Sequence, residues 1–120
     1  MKIYVAHSRD FDYQNELYVS LKNSEIFKQH EIILPHDGDN YKHERNFYKS
    51  IDLVIAEVSY PSTGLGIELG FICDDNKPIY CIHRSDKMVS SSINVVTNNI
   101  YSYSNSDEML ETITRIVDGH

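Results

Sequence analysis

The sequence predicts a single α/β domain over residues 1–120: a three-layer, Rossmann-like sandwich with a five-stranded parallel sheet and helices on both faces. Two observations predict it. Short apolar segments rich in β-branched residues recur along the chain, and the clearest of them, residues 53–56, has the composition of a buried parallel strand. Segments with helical spacing alternate with these strands, which is typical of a parallel sheet covered on both faces.

The predicted elements follow one another in a regular order. Strands are expected at residues 3–6, 31–34, 52–58, 79–82 and 100–103. Helices are expected from an N-cap at Asp10 or Asp12 to about residue 23, at about 42–50, at 65–74, and after an N-cap at Ser106 or Asp107. Residues 89–96 are compatible with a short helix or with an irregular segment.

The composition excludes several classes of partner. There are 18 acidic against 11 basic residues and a net charge of −7, which argues against a nucleic-acid polymer or an anionic membrane surface as partner. A single nucleotide needs only a local pocket, so the net charge does not exclude it as a ligand.

The first residues are typical of a strand rather than of a signal peptide. Cys73 and Cys81 lack zinc or redox spacing, so we expect reduced thiols in a cytoplasmic protein.

Polar side chains follow four of the predicted strands, and parallel strands bring such positions to one edge of the sheet. These groups are Ser8 and Arg9, His36 and Asp37, residues 59–68, and His83 and Arg84. Among them, Ser62, Thr63 and Gly64 open a helix, where free N–H groups and the helix dipole favour an anion such as phosphate. Helix capping alone explains the same residues equally well.

Two carboxylates near this edge are candidate functional groups. Glu68 lies in the first turns of the helix between Gly64, Gly66 and Gly70, where small residues allow a ligand to approach closely. Acidic residues in the first turns of a helix also stabilise its dipole, and the spacing alone favours that structural role for Glu68. Glu57 ends an apolar strand and can either point into the site or pair with Arg9 or Arg84; because an isolated buried carboxylate is costly, we expect the pairing. The six histidines show no metal-binding spacing, so we predict no metal site.

One long motif resembles a known family. The run AEVSYPSTGLGIELG, residues 56–70, is similar to the AEVTxPSxGxGxELG segment of the 2′-deoxynucleoside 5′-phosphate N-hydrolases, within the nucleoside 2-deoxyribosyltransferase superfamily. The segments IYVAHSR, ILPH and CIHRSDKMVSSSI also resemble that family, so the likeness covers residues 2–93. It implies N-glycosidic chemistry without a metal or organic cofactor.

The resemblance assigns catalytic roles to three residues. It implies that Glu68 is the nucleophile that attacks C1′ of the sugar and forms a covalent glycosyl-enzyme, which water then hydrolyses. Asp52 matches a family aspartate that assists protonation of the leaving base. Tyr4 matches a strand-one tyrosine that orients the glutamate.

The resemblance also implies how a 5′-phosphate is bound. Ser62 matches the serine of the phosphohydrolases at a position where the transferases carry an aspartate, and a hydroxyl there avoids repulsion with the phosphate. Ser8 matches another phosphate-side serine, and His36 a histidine near the base. Ser90 matches a serine that reaches the phosphate of the neighbouring subunit, which implies a homodimer with shared active sites. Gly64 and Gly66 belong to the same motif as Ser62, so the resemblance implies that they also contact the substrate. Arg9 lies beside Ser8 in the loop after strand one and is expected to contact the substrate as well.

This chain also departs from the family pattern. The family's SIRGG loop is replaced by Ser8-Arg9-Asp10-Phe11, which lacks both glycines and brings in a carboxylate that would repel phosphate. Residues 37–47, where base selectivity would be set, match no family segment. Two alternatives follow: a nucleoside deoxyribosyltransferase, against which Ser62 counts, and a non-catalytic nucleotide-binding or sensing module. The combination of Tyr4, Asp52 and Glu68 counts against the second.

Overall fold

A computed structural model describes residues 1–38 and 45–120, the side chain of Arg45 excepted, and shows a five-stranded sheet with all strands parallel. The strands are β1 (Lys2–His7), β2 (Glu31–Ile33), β3 (Leu53–Glu57), β4 (Ile79–Arg84) and β5 (Ile100–Tyr103). Their order across the sheet is β2-β1-β3-β4-β5. The predicted fold class and the positions of all five predicted strands are confirmed.

The helices differ from the prediction in several places. They are a π-helical turn (Gln14–Tyr18), α1 (Val19–Lys22), α2 (Glu25–Gln29), a 3-10 turn (Arg45–Ser50), α3 (Thr63–Asp74), a second 3-10 turn (Ser91–Val95) and α4 (Ser106–Asp118). The sequence did not predict α2, which Ser24 caps by accepting a hydrogen bond from the N–H of Phe27. Residues 42–44 of the predicted second helix lie outside the described residues, and its remainder is the first 3-10 turn.

Two apolar clusters fill the spaces on either side of the sheet. One face of β1 and β3 packs against the first helical segments and α4, with Ile3, Val5, Leu21, Ile55, Met109 and Ile113 among its buried members. The opposite face packs against α3, with Tyr4, Ala6, Val54, Leu65, Leu69 and Ile72 among its members. Alternate residues of the same strands therefore enter different clusters, which is why these strands are apolar almost throughout.

The strand order creates a switch point between β1 and β3. The chain passes from β1 to its neighbour β2, crosses back to β3 on the other side of β1, and continues outward through β4 and β5. Loops that leave the carboxyl ends of β1 and β3 consequently diverge and leave a crevice. In open parallel sheets this is where ligands bind.

Glu57 joins the carboxyl ends of three strands. Its Oε1 accepts a hydrogen bond from the N–H of Ser59 at 2.5 Å, and its Oε2 accepts one from the hydroxyl of Tyr103 on β5. The Oγ of Ser59 in turn accepts the N–H of Arg84 on β4 at 2.7 Å. The expected pairing of Glu57 with an arginine is wrong, because the Arg84 guanidinium faces outward to Glu16. Burial raises the pKa of Glu57 above its usual range.

Candidate active site

A cavity of about 520 Å³ lies at the switch point, over the carboxyl ends of β1 and β2 and the start of α3. Its walls are formed by Tyr4, His7, Arg9, Asp10, Pro35, His36, Tyr48, Ser62, Gly64, Leu65, Ile67, Glu68 and Phe71. The volume is within the range of small-molecule sites. Of the ten predicted site residues, six line this cavity: Tyr4, Arg9, His36, Ser62, Gly64 and Glu68.

Glu68 is a buried carboxylate in the wall of the cavity, and α3 turns it toward the sheet, so that only 9% of the residue is exposed. The Tyr4 hydroxyl donates a hydrogen bond to its Oε2 at 2.7 Å, and the Tyr48 hydroxyl donates to the same oxygen at 2.6 Å. Tyr4 reaches Glu68 because alternate residues of β1 face α3. Hydrogen bonds from a hydroxyl to a carboxylate are short and strong, so this carboxylate is held in a defined orientation.

His7 forms part of the cavity wall and is held as a neutral ring. Its Nδ1 lies 2.7 Å from the carbonyl oxygen of Ser8, which can only accept, so Nδ1 carries the hydrogen. Burial lowers the pKa of His7, and the Ser8 carbonyl and the charge of Glu68 oppose this only in part. The neutral Nε2 therefore accepts from the Tyr18 hydroxyl at 2.7 Å. That hydroxyl accepts the N–H of His36 at 3.0 Å, which joins the loops after β1 and β2.

Arg9 brings a positive charge to the cavity. Its Nε lies 3.4 Å from His36 Nε2 and its Nη2 lies 3.3 Å from His36 Nδ1, so the guanidinium lies against the imidazole ring. Asp10, which also lines the cavity, adds a carboxylate nearby. The loop after β1 is thus mixed in charge rather than a purely cationic anion site.

Ser62 and Gly64 form the part of the wall at the start of α3. Ser62 is the N-cap, and its Oγ accepts the N–H of Leu65 at 3.3 Å, which leaves its hydroxyl hydrogen to be donated. A Cβ at Gly64 would meet no atom of the described residues within 4 Å. The glycine therefore leaves open space beside the backbone that a ligand can occupy.

The other predicted binding residues lie outside this cavity. Ser8 is buried, and its Oγ accepts the N–H of Asp10 at 3.0 Å. Gly66 and Ser90 line a neighbouring cavity of about 390 Å³, which shares Ser62 and Leu65 with the first. Ser62 therefore stands between the two.

Asp52 is also outside the cavity. It is exposed, it comes immediately before β3, and its Oδ2 accepts the N–H of Lys2 at 2.8 Å. A residue that precedes a parallel strand lies at the amino edge of the sheet, whereas the cavity is at the carboxyl edge. The structure therefore does not bring Asp52 to Glu68.

Among the cavity residues that the sequence did not assign to the site, Tyr48 and His7 have polar groups that form part of its hydrogen-bond network. Tyr48 lies in the segment that was predicted as a helix over about 42–50, where the sequence singled out no functional residue, and the 3-10 turn buries its side chain. His7 was assigned to the loop, whereas β1 extends through it and buries it. Its position directly after an apolar strand was the available signal.

Within the described residues, no group of three or more His, Cys, Asp or Glu side chains could hold a metal ion.

Solved structures resemble this α/β fold along almost its whole length. A CMP N-glycosidase from Clostridium botulinum aligns with a TM-score of 0.63 and 22% identity, covering 95% of this chain and 99% of that chain. A conserved protein from Enterococcus faecalis V583 aligns with a TM-score of 0.66 and 15% identity, covering 96% and 98%. At these identities the likeness shows the fold.

Sequence relatives agree with the family resemblance, although no protein-family model matches the chain. The 5-hydroxymethyl-dUMP N-hydrolase of Rattus norvegicus is 42% identical over 60 residues, 47% of this chain and 37% of that protein. A putative 2′-deoxynucleoside 5′-phosphate N-hydrolase of Thermofilum pendens is 27% identical over 84 residues, 66% of this chain and 59% of that protein. The alignments thus span between about a third and three fifths of these relatives. The resemblance to the nucleotide N-hydrolases is confirmed.

Proposed function

We propose that this protein hydrolyses the N-glycosidic bond of nucleoside 5′-monophosphates, releasing the free base and a ribose or deoxyribose 5-phosphate. The observation that carries the proposal is Glu68, a buried carboxylate at the switch-point cavity with one oxygen held by two tyrosine hydroxyls. The names of its relatives, N-hydrolases of nucleoside monophosphates, support the same reaction.

In the proposed mechanism Glu68 acts as the nucleophile. Cleavage of the bond between sugar and base develops positive charge at C1′, and a carboxylate fixed beside that carbon stabilises the charge and then captures the carbon. Water hydrolyses the resulting glycosyl ester. Because the structure places Asp52 at the opposite edge of the sheet, we do not include it in this mechanism.

We place the 5′-phosphate at the start of α3. Ser62 has a hydroxyl hydrogen to donate, the start of α3 is the positive end of the helix dipole, and Arg9 lines the same cavity. A serine at this position adds no charge, whereas the aspartate of the transferases would repel a phosphate dianion.

The test is a panel of nucleotides incubated with the wild-type protein and with Glu68→Ala. The panel contains 5-hydroxymethyl-dUMP, CMP and the ribo- and deoxyribonucleoside 5′-monophosphates of the common bases, and free base is measured by chromatography. We expect the wild type to release base from at least one member and the variant to release at least about 1000-fold less, since the nucleophile is absent. Equal release by both proteins, or none by the wild type, would overturn the proposal.

A nucleotide-binding or sensing module is the second candidate. The position of Asp52 favours it, because the argument for an enzyme used Tyr4, Asp52 and Glu68 together, and Asp52 lies outside the cavity. Such a module would bind a nucleotide without turnover, and Glu68→Gln would leave its affinity nearly unchanged. Calorimetry that measures the affinity of wild type and Glu68→Gln for each nucleotide of the same panel separates the binding module from the hydrolase.

A deoxyribosyltransferase would differ from both, because it would exchange bases when a second free base is supplied.

We further propose that the protein forms a homodimer whose subunits share the two neighbouring cavities. On the outer face of α3, Ile67 and Phe71 are large apolar residues with 55% and 39% exposure at the rim of the first cavity. Ser90 lines the second cavity, where a neighbouring subunit's phosphate would lie.

No helix in the described part of the chain has the length and apolarity to cross a bilayer. A cytoplasmic location stays a prediction.

A further inference from the structure

The loop between β3 and α3 consists of residues 58–62, and its last residue, Ser62, is the N-cap of α3. We propose that Glu57, the last residue of β3, is a positioning residue for the 5′-phosphate: it holds this loop so that the Ser62 hydroxyl is in place before the nucleotide binds. The inference rests on the proposed function, because it takes the phosphate to lie at the start of α3. It concerns binding and does not require turnover.

Glu57 is a buried carboxylate whose two oxygens both accept hydrogen bonds. Only 1% of the residue is exposed. Its Oε1 accepts the N–H of Ser59 at 2.5 Å, and its Oε2 accepts the hydroxyl of Tyr103 on β5, across the intervening strand β4. Hydrogen bonds to a charged acceptor are strong, and burial strengthens them further. The sheet therefore fixes where this side chain lies.

Ser59 is the loop residue that the carboxylate holds. It is 3% exposed, and its Oγ also accepts the N–H of Arg84 on β4 at 2.7 Å. One residue of the loop is therefore bonded to two strands directly and, through Glu57, to a third. Without the carboxylate, the N–H of Ser59 would be a buried donor that has lost its acceptor. Because such a donor is costly, the backbone at Ser59 would shift to find another partner.

The chain between Ser59 and Ser62 has little freedom to absorb such a shift. Tyr60 stacks on Phe11 of the loop after β1, with ring centroids 4.8 Å apart and planes at 15°. Pro61 has a fixed φ and also restricts the residue before it. Ser62 is extended, with φ −150° and ψ 151°, as an N-cap requires. A displacement of Ser59 is consequently passed on to Ser62.

Glu57 acts on the ligand through this loop and not by contact. Ser62 is in the wall of both neighbouring cavities, whereas Glu57 is in the wall of neither. A loop that is already held in its binding conformation loses less conformational freedom when a ligand binds, and this raises the affinity. We therefore expect the loss of Glu57 to weaken binding of the phosphate.

The test measures binding of 2-deoxyribose 5-phosphate by isothermal titration calorimetry. This probe carries the phosphate and has no N-glycosidic bond to cleave. Glu57→Ala removes both acceptor oxygens. We expect it to raise Kd roughly 10- to 100-fold, the range for losing a hydrogen bond between Ser62 and a charged phosphate.

Glu57→Gln is the matched control. Its amide oxygen can accept the N–H of Ser59, and its amide nitrogen can donate to Tyr103, because a tyrosine hydroxyl accepts as well as donates. With both contacts kept, Kd should stay within about threefold of the wild type. The two variants thus separate the loss of the hydrogen bonds from the loss of the charge.

A double-mutant cycle with Ser62 tests whether Glu57 acts through that residue. Ser62→Gly removes the hydroxyl, and glycine still serves as an N-cap with little loss. In this background Glu57→Ala should raise Kd by less than about threefold, because the contact that it would misplace is already absent. A residue that only stabilises the fold would weaken binding by the same factor in both backgrounds.

Tyr103→Phe carries the test if Glu57→Ala does not fold. It keeps the ring and leaves one oxygen of Glu57 without its donor, so the carboxylate can rotate away from Ser59. Kd should rise about three- to tenfold in the wild-type background and stay unchanged in the Ser62→Gly background. Tyr103 is in the wall of neither cavity, so a direct contact with the probe does not explain such a result.

The outcomes separate this inference from the proposed function. Suppose that the wild type releases base, but Glu57→Ala binds the sugar phosphate as tightly as the wild type or weakens binding equally in both backgrounds. The positioning role is then wrong while the hydrolase stands. Glu57→Gln as damaging as Glu57→Ala also overturns the role, because the hydrogen bonds would not be what matters.

The opposite result is equally informative. If the wild type releases no base but binds 2-deoxyribose 5-phosphate with the expected pattern among the variants, the hydrolase is wrong and the positioning role stands. A wild type that does not bind the sugar phosphate overturns the positioning role.

Discussion

Ser62 has two possible tasks, as the N-cap of α3 and as a ligand for phosphate, and one substitution separates them. Aspartate caps a helix as well as serine does, so Ser62→Asp should leave the melting temperature nearly unchanged. A carboxylate beside a phosphate dianion should cost about 2–4 kcal/mol, and kcat/KM for a nucleoside monophosphate should fall roughly 30- to 1000-fold. Steady-state kinetics and a thermal melt measure the two effects.

The control for this prediction is Ser62→Thr, which keeps a hydroxyl that can both accept from the N–H of Leu65 and donate to a ligand. Its kcat/KM should stay within a few-fold of the wild type. If Ser62→Asp hydrolyses the monophosphate as fast as the wild type does, phosphate does not bind at this residue.

At the level of single residues, the sequence predicted what local spacing determines. The resemblance assigned Tyr4 and Glu68 to the site, and the structure brings them together because alternate residues of β1 face α3 and Glu68 lies on the inner side of that helix. Asp52 was assigned a catalytic role by resemblance, but its place before β3 puts it at the opposite edge. Tyr48 depends on the path of a 3-10 turn, which has no strong sequence period to reveal which side faces inward.

Among the elements, α4 shows how a boundary is decided by backbone conformation. Ser104, Asn105, Ser106 and Asp107 can all cap a helix, and the sequence favoured Ser106 or Asp107. The cap is Asn105, which is extended (φ −156°, ψ 174°) and whose Oδ1 accepts the N–H of Glu108 at 2.9 Å. The predicted cap is therefore wrong by one or two residues, because neighbouring cap-forming residues cannot be told apart without dihedral angles.

This assignment predicts that Asn105→Ala destabilises the protein by about 1 kcal/mol, the usual loss for an N-cap. For a domain of this size, the melting temperature should fall by about 3–5 °C. Differential scanning calorimetry measures it, with Ser106→Ala as the control. Should Ser106→Ala be the more damaging of the two, the cap is misassigned.

For the whole molecule, the proposed homodimer predicts a concentration-dependent mass. Sedimentation equilibrium of the wild type should give twice the chain mass at micromolar concentration. Ile67→Glu should shift the protein toward the monomer, because a charge buried in an apolar interface is costly. Val19→Glu is the matched control, since Val19 has 49% exposure against 55% for Ile67 but lies on α1. A monomeric wild type, or equal effects of the two variants, would contradict the interface on α3.

The order of the strands also bears on how long the site survives as the protein opens. β1 is flanked by β2 and β3 and is buried almost throughout, so its backbone amides should be among the last to exchange with deuterium. Tyr4 is part of that strand, whereas Arg9, His36 and Ser62 lie on the loops around it. Partial opening of the molecule would therefore weaken the contacts of these loop residues with a nucleotide before it breaks the hydrogen bond between Tyr4 and Glu68. The orientation of the carboxylate is then as durable as the fold itself.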